Sequence, residues 1–403
     1  MSDRFISLLG LLVFIGIGYL GSNNRRAVRW NTVLWGVGLQ LLLGVIILKT
    51  QFGLAVFQFL GNLVSQFLDF SDAGAKLVFG DGFTEHFIAF KILPTIIFFS
   101  AFISLLYYYN ILPRIVAVMG WGMMRLMKTS GAESLSCAAN IFVGSTESPL
   151  MIKPYLPELT RSELHAVMTG GFATIAGGVM AAYISFGIPA EHLISASVMS
   201  APAALAISKL FYPETEKPQT RGKVLTQVEQ TATNAIDAIT TGTLDGLKLA
   251  LNVGAMLIAF LGLLALVNAI LGWLGSQVGL PALSLEWILS YLMFPVAWLM
   301  GVPIADCQAV AVLLGKKVII SEFVAYLDLK ELIASSAISL RAQVISTYAL
   351  CGFSNIGSIG IIIGGISAIA PSRQSDLARL GVRALIAGSI ACFMTACITG
   401  MLL

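Results

Sequence analysis

Apolar residues run through this chain in long stretches, and polar residues interrupt them at only a few places. About 20 apolar residues in helical conformation cross the hydrocarbon core of a bilayer. Stretches that suit this purpose lie at residues 5–20, 31–48, 86–109, 163–186, 192–211, 249–274, 332–363 and 377–401, with a shorter one at 285–300. Residues 52–70 differ: Phe57, Leu60, Leu63, Val64, Phe67 and Leu68 recur at helical spacing between Asn62, Ser65, Gln66 and Asp69. That pattern predicts an amphipathic helix in the membrane interface. Residues 111–127 suit a second interfacial or linking helix, and 226–247 an aqueous or interfacial one. Pro94 predicts a kink in 86–109, because it deletes a backbone hydrogen bond.

Two segments break the pattern. Residues 134–156 are apolar but interrupted by Asn140, by Gly144-Ser145-Thr146-Glu147-Ser148-Pro149 and by Lys153-Pro154. Residues 303–326 carry Asp306, Gln308, Lys316, Lys317, Ser321 and Glu322. The polar stretch from Pro213 to Lys223 is a loop, and it divides the chain so that these segments occupy matching positions in the two halves. Each segment is followed by a span with its own Gly/Ser/Thr/Asn break. Thr174 lies 27 residues after Glu147, and Asn355 lies 33 after Glu322.

Backbone polar groups cannot be left unpaired in lipid, so a broken backbone at membrane depth is buried in protein or lines a wet cavity. Paired interrupted segments in two halves point to the substrate site of an inverted-repeat transporter. Both segments are therefore expected to be re-entrant hairpins with tips near the midplane. A carboxylate there costs about 3 kcal/mol or more and is functional by default. The competing structural reading pairs Glu147 with Lys153, and Glu322 with Lys316 or Lys317. Asp306, Lys316 and Lys317 lie nearer the hairpin ends, where snorkelling is easy. His86, His165 and His192 sit at span edges, where capping or solvation is expected.

Composition agrees with the pattern. The chain has 403 residues, 57% hydrophobic and 11% charged, against about 25% charged in a soluble domain. Its mean hydropathy is +0.87. The net charge of +3 comes without a basic tract interleaved with aromatics, which argues against a nucleic-acid partner. Cys137, Cys307, Cys351, Cys392 and Cys397 show no metal-ligand spacing and read as small buried hydrophobes. Residues 5–20 lack a basic leader and a small-residue exit, and read as a retained helix. Arg25, Arg26 and Arg29 place the first loop in the cytoplasm and the N-terminus outside.

Glu147 and Glu322 are strong acceptors for N–H and O–H donors. Ser145, Thr146, Asn355 and Ser358 donate or accept, and Phe353 offers a face for stacking. The set suits a neutral, multi-hydroxyl, ring-bearing solute and would repel an anion. Asn140, Thr174 and nearby carbonyls could hold a hard monovalent cation, as unwound helices do in such transporters.

At these residues the chain resembles the concentrative nucleoside transporter family. Gly144-Ser145-Thr146-Glu147-Ser148-Pro149-Leu150 is similar to the family's G-Q-T-E-A-P-L. Gly315-Lys316-Lys317, with Ser321-Glu322-Phe323-Val324-Ala325-Tyr326, looks like its G-x-K-x-x-x-N-E-F-V-A-Y signature, and Cys351-Gly352-Phe353-Ser354-Asn355 with Ser358 carries the third likeness. The resemblance covers the whole chain in segment order. It implies an all-α polytopic membrane protein with inverted repeats, two re-entrant helical hairpins and about eight transmembrane helices. It also implies a homotrimer in the cell inner (plasma) membrane and an elevator-like transport domain. The expected division is 1–130 as scaffold and interfacial helices, and 131–211 as the first repeat. Residues 212–302 would be linker and scaffold, and 303–403 the second repeat.

By motif, Ser145, Thr146 and Glu147 would face the nucleobase. Glu322, Asn355 and Ser358 would hold the ribose, with Phe353 and Val179 lining the pocket. Sodium would sit at Asn140, Val143, Thr174 and Ile175, partly through backbone carbonyls. Ser145 departs from a frequent Gln and Ser321 from the signature's Asn, which would loosen base contact and the second tip. The expected activity is sodium-driven symport of a uridine-like nucleoside, with sodium as coupling ion and no other cofactor. Proton-coupled symport and a passive facilitator are the alternatives. An intramembrane enzyme using Glu147 and Glu322 lacks a nucleophile–base pair or metal triad.

Overall fold

The computed structural model describes residues 2–223, 232–277, 279–280 and 282–403. Among them the protein is helical, with a single isolated backbone bridge between Ser130 and Arg221. The first helices are α1 (Ser2–Leu20), α2 (Trp30–Lys49), α3 (Gln51–Asp69), α4 (Ser71–Phe79), α5 (Leu93–Tyr108) and α6 (Ile111–Met127). Helix α3 leaves Phe52, Phe59 and Leu63 exposed and buries only Gly53, Gly61 and Leu68, as an amphipathic helix outside the core does.

Helix α5 is irregular at Pro94, where its winding changes. A π-helical turn, Phe87–Ile92, precedes the helix, and Pro94 falls in its first turn. The helix runs on without a break, so the backbone bond that Pro94 lacks falls where the π-helical turn passes into α-helix.

The first interrupted segment folds as α7 (Gly131–Ala139), an irregular turn and a 3-10 stretch, Ser148–Glu158. The next span is α8 (Arg161–Ala173) and α9 (Gly177–Ser185), broken at Thr174, Ile175 and Ala176. Helix α10 (Ala190–Phe211) follows. Residues 224–231, the start of the expected 226–247 helix, lie outside the described residues. From Ala235 onward no separate helix forms. The segment opens the continuous 43-residue α11 (Ala235–Gln277). Gly246 explains why it stays in the bundle: a Cβ there would lie 2.8 Å from Ile97 Cα and Ser100 Cβ, so α11 and α5 approach backbone to backbone.

The second half continues with α12 (Leu285–Leu299), α13 (Ile304–Ile319), α14 (Glu322–Ala334), α15 (Leu340–Leu350), α16 (Ile356–Ile369) and α17 (Gln374–Leu402). Helices α13 and α14 turn at Ile320 and Ser321, so the second interrupted segment extends past Tyr326 to Ala334. The span after it starts at Leu340 rather than 332 and breaks between Leu350 and Ile356. Among the described residues seven helices are long and apolar enough to cross a membrane, and a bent pair, α12 with α13 at 119°, raises the number to eight if counted as one span.

Helix α1 shows that the two segments enter from opposite faces. At one end Ser7 Oγ donates to Met300 O, beside the start of α13. At the other end Asn23 N donates to Phe211 O, on the side where Gly131 N donates to Thr220 O at the base of α7. The 19 residues of α1 span about 28 Å at 1.5 Å per residue, close to the thickness of a bilayer core.

Several charges are placed otherwise than sequence position predicts. Lys317 does not snorkel. It is fully buried, its Nζ donates to Ala349 O at 2.7 Å, and it lies 5.8 Å from the Phe393 ring centroid. Lys316 pairs with Asp328 at 2.7 Å. His165 is not at a solvated edge: it is fully buried, with Nδ1 2.7 Å from Ser208 Oγ. The five cysteines are free and buried.

Candidate functional site

The two hairpin turns and the two helix breaks meet in the middle of the molecule. Phe353 N donates to Thr174 O at 3.1 Å, which ties one break to the other. Gly177 N donates to Phe142 O at 3.1 Å and ties the first break to the first hairpin. The first tip lies against both broken spans. A Cβ on Gly171 would sit 2.8 Å from Ser145 Cβ, and one on Gly365 2.5 Å from Thr146 Cγ2, so these glycines let the tip approach.

An open cavity of about 660 Å³ lies at this junction. Ser145, Thr146, Glu147, Val179, Glu322, Phe353, Asn355 and Ser358 all line it. The structure thus brings together every residue expected to hold the solute. That volume falls within the 300–1,000 Å³ of most small-molecule pockets, enough for a nucleoside.

Glu322 is buried at the start of α14 and is bonded at both oxygens. Tyr183 OH donates to Oε1 at 3.1 Å and Asn355 Nδ2 to Oε2 at 3.0 Å. Asn355 caps α16, with its Oδ1 accepting from Ser358 N at 2.8 Å and Ser358 Oγ at 3.0 Å. Helix geometry therefore fixes the amide, and the amide orients the carboxylate. No lysine bridges to Glu322 among the described residues, and Lys316 is occupied by Asp328. Ser321 Oγ accepts from Val324 N at 3.5 Å, a long bond for a helix cap.

Glu147 has a different setting. Gly144 N donates to its Oε2 at 2.8 Å, and the carboxylate faces the cavity rather than Lys153.

The residues expected to take sodium come from two parts of the chain that meet at Gly170: a Cβ there would lie 3.3 Å from Asn140 Nδ2, and Gly170 O accepts from Thr174 Oγ1. Asn140 is fully buried; its Nδ2 donates to Ser136 O, and its Oδ1 has no partner among the described residues. Thr174 Oγ1 donates to Gly170 O at 2.9 Å and keeps lone pairs free. The carbonyls of Val143 and Ile175 accept no hydrogen bond in the connecting turns of the described residues. A buried amide oxygen without a partner and carbonyls left free at the two breaks are oxygen ligands of the kind a hard monovalent cation takes. Among the described residues no cluster of three His, Cys, Asp or Glu could hold another metal.

Some site residues escaped the sequence reading. Tyr183 is fully buried and stacks 4.2 Å from Tyr326, whose OH donates to Thr347 O. Asp245, Lys248 and Asn252 project from α11 into the cavity. Their spacing of three and four residues on a long apolar helix was a readable signal.

Three family models match successive parts of the chain. "Na+ dependent nucleoside transporter N-terminus" matches residues 9–82, "Nucleoside recognition" residues 89–190, and "Na+ dependent nucleoside transporter C-terminus" residues 192–400. Solute carrier family 28 member 3 of Rattus norvegicus is 50% identical over 99% of this chain and 59% of its own length. Sodium/nucleoside cotransporter 1 of Mus musculus is 45% identical over 99% of this chain and 64% of its own. The chain thus spans about three fifths of the length of the curated relatives it matches. Those relatives are transporters, not enzymes. The solved structure of CNTnw in an inward-facing substrate-bound state is 39% identical, with a TM-score of 0.93 over 99% of this chain and 98% of that one. A CNTnw variant in an outward-facing state is also 39% identical, with a TM-score of 0.95 over 100% of this chain and 99% of that one. On these matches, the chain belongs to the sodium-dependent nucleoside transporter family.

Proposed function

We propose that this protein is a secondary active symporter that imports nucleosides down a sodium gradient. The observation that carries the reading is the Glu322–Asn355–Ser358 chain of hydrogen bonds facing Ser145, Thr146 and Glu147 across one cavity. Charged acceptors at Glu322 favour paired ribose hydroxyls, since bonds to an ionised group are stronger than neutral ones. Glu147, Thr146 and Ser145 take the donor edge of the base, Phe353 stacks, and Val179 packs from α9.

Sodium is cargo alongside the nucleoside, at Asn140, Val143, Thr174 and Ile175. These residues belong to two elements, the first hairpin and the α8–α9 break. Joining their oxygens through one cation holds the Ser145–Glu147 tip in place for the base, which links the two cargoes energetically. The chain is read as a homotrimer of the plasma membrane, each protomer carrying a site. Residues 1–130 and 212–302 are read as framework, and 131–211 and 303–403 as the paired repeats.

Uptake of labelled uridine into proteoliposomes tests this reading. Glu322→Gln is expected to abolish uptake. Sodium-independent but pH-dependent uptake would make the protein a proton symporter, and uptake that never exceeds equilibration a facilitator.

A further inference from the structure

A second polar concavity lies far from the nucleoside cavity, where the base of the first hairpin meets the loop after α10. It is a shallow recess, about 20 Å³ inside, lined by Arg29, Lys128, Lys209 and Arg221 together with Glu133 and Glu214, with Arg29, Lys128 and Arg221 exposed at its rim. The carboxylates are already occupied. Lys209 Nζ lies 2.5 Å from Glu133 Oε2 and 3.8 Å from Glu214 Oε2. Arg29, Lys128 and Arg221 come from three separate segments, and their side chains have no partner among the described residues. Four basic and two acidic groups leave an excess of two positive charges at the mouth.

The depth of the site identifies the kind of anion. Helices α1, α2 and α10 all end here, at Leu20, Trp30 and Phe211. Trp30 is exposed and its ring lies 5.4 Å from that of Tyr19. Paired amphipathic aromatics at span ends mark the headgroup level of a bilayer. Basic pockets between transmembrane helices at that level bind anionic lipid headgroups. Lys128 adds an independent sign. It ends α6 with φ +56°, a left-handed conformation that glycine adopts without cost and lysine does not. A lysine held in a glycine's place is strain kept at a site, which is where such strain concentrates.

We infer that Arg29, Lys128 and Arg221 form a binding site for the phosphodiester headgroup of an anionic phospholipid. Its acyl chains lie along the exposed apolar faces of α1 and α2.

Native mass spectrometry of the purified 403-residue chain tests this, with phosphatidylglycerol, phosphatidylcholine and inorganic phosphate as probes. The wild-type protein should retain phosphatidylglycerol about tenfold or more over phosphatidylcholine, the order expected for a few cations at a membrane surface. Neutralising Arg29→Gln, Lys128→Gln and Arg221→Gln together should remove the preference. Neutralising Lys217→Gln and Lys223→Gln on the same loop should leave it. An equal preference in the wild type, or a preference surviving the triple change, overturns the inference. Displacement of the lipid by millimolar phosphate also overturns it, in favour of a soluble anion. Lys128→Gly separates binding from folding. It should raise the melting temperature while weakening phosphatidylglycerol retention, and a higher melting temperature with unchanged retention contradicts the assignment.

Discussion

Asn355 Nδ2 donates to Glu322 Oε2 at 3.0 Å, joining the tip of the second hairpin to the broken span that follows it. The two residues lie 33 apart in the chain, and their bond forms only if the hairpin returns to meet the break. It sets the carboxylate's orientation before any ligand arrives. A preoriented acceptor loses less entropy on binding than a mobile one.

Glu322→Gln keeps one acceptor oxygen, which can serve Asn355, places an NH2 donor toward Tyr183 OH, and removes the charge. Hydrogen bonds to charged groups are worth about 1.5–3 kcal/mol, against about 0.5–1.5 for neutral ones. Two ribose hydroxyls should therefore lose about 2 kcal/mol together, roughly a 30-fold weaker nucleoside affinity. Calorimetric titration with uridine measures this, alongside a melting temperature near that of the wild type. Unchanged affinity would place the ribose elsewhere.

Asn140→Leu removes the orphaned amide oxygen at similar volume. The sodium concentration for half-maximal uridine binding should rise about tenfold or more, as for a lost coupling of 1–3 kcal/mol. Uridine affinity extrapolated to saturating sodium should change far less. A sodium response like that of the wild type would remove Asn140 from the cation site.

Gly171→Ala tests the close approach of the first tip. Its Cβ would lie 2.8 Å from Ser145 Cβ and 3.2 Å from Ile362 Cδ1. Overpacking of this kind costs about 1–3 kcal/mol. Thermal unfolding should report that loss, and nucleoside affinity should fall with it because Ser145 is displaced. A variant with normal stability and affinity would mean the tip does not rest on α8.

Lys209→Met strands two buried carboxylates, Glu133 and Glu214. Removing one partner of a buried pair costs about 3–5 kcal/mol, while replacing both partners is often near neutral. Lys209→Met should therefore unfold at a much lower temperature, and adding Glu133→Gln should recover part of the loss. No recovery would mean that Glu133 depends little on Lys209.

Much of this architecture was legible because the bilayer leaves few options. Polar breaks at Glu147 and Glu322 are misfits on a hydropathy profile and, by position alone, mark one site. Their backbone irregularity must be satisfied inside protein, so the neighbouring breaks at Thr174 and Asn355 had to be near. Other features lie in packing, which sequence spacing does not encode. Tyr183 reaches Glu322 across 139 residues. Lys317 looked like a snorkelling end residue, yet it is buried because Ala349 O, freed near the end of α15, accepts its proton donor. His165 lies one turn inside α8 against α10, a neighbour no local pattern reveals. At Pro94 the expected irregularity takes the form of a π-helical turn, Phe87–Ile92, whose exact winding has no sequence signature.

The claim at the centre of this account is that a sodium gradient drives nucleoside uptake through one site shared by both hairpins. The most direct measurement is the accumulation of labelled uridine in proteoliposomes under an inward sodium gradient. The wild-type protein should concentrate uridine above the external level, and the gain should vanish when sodium is equal on both sides. Uptake of the same extent and rate with sodium absent throughout would contradict the account.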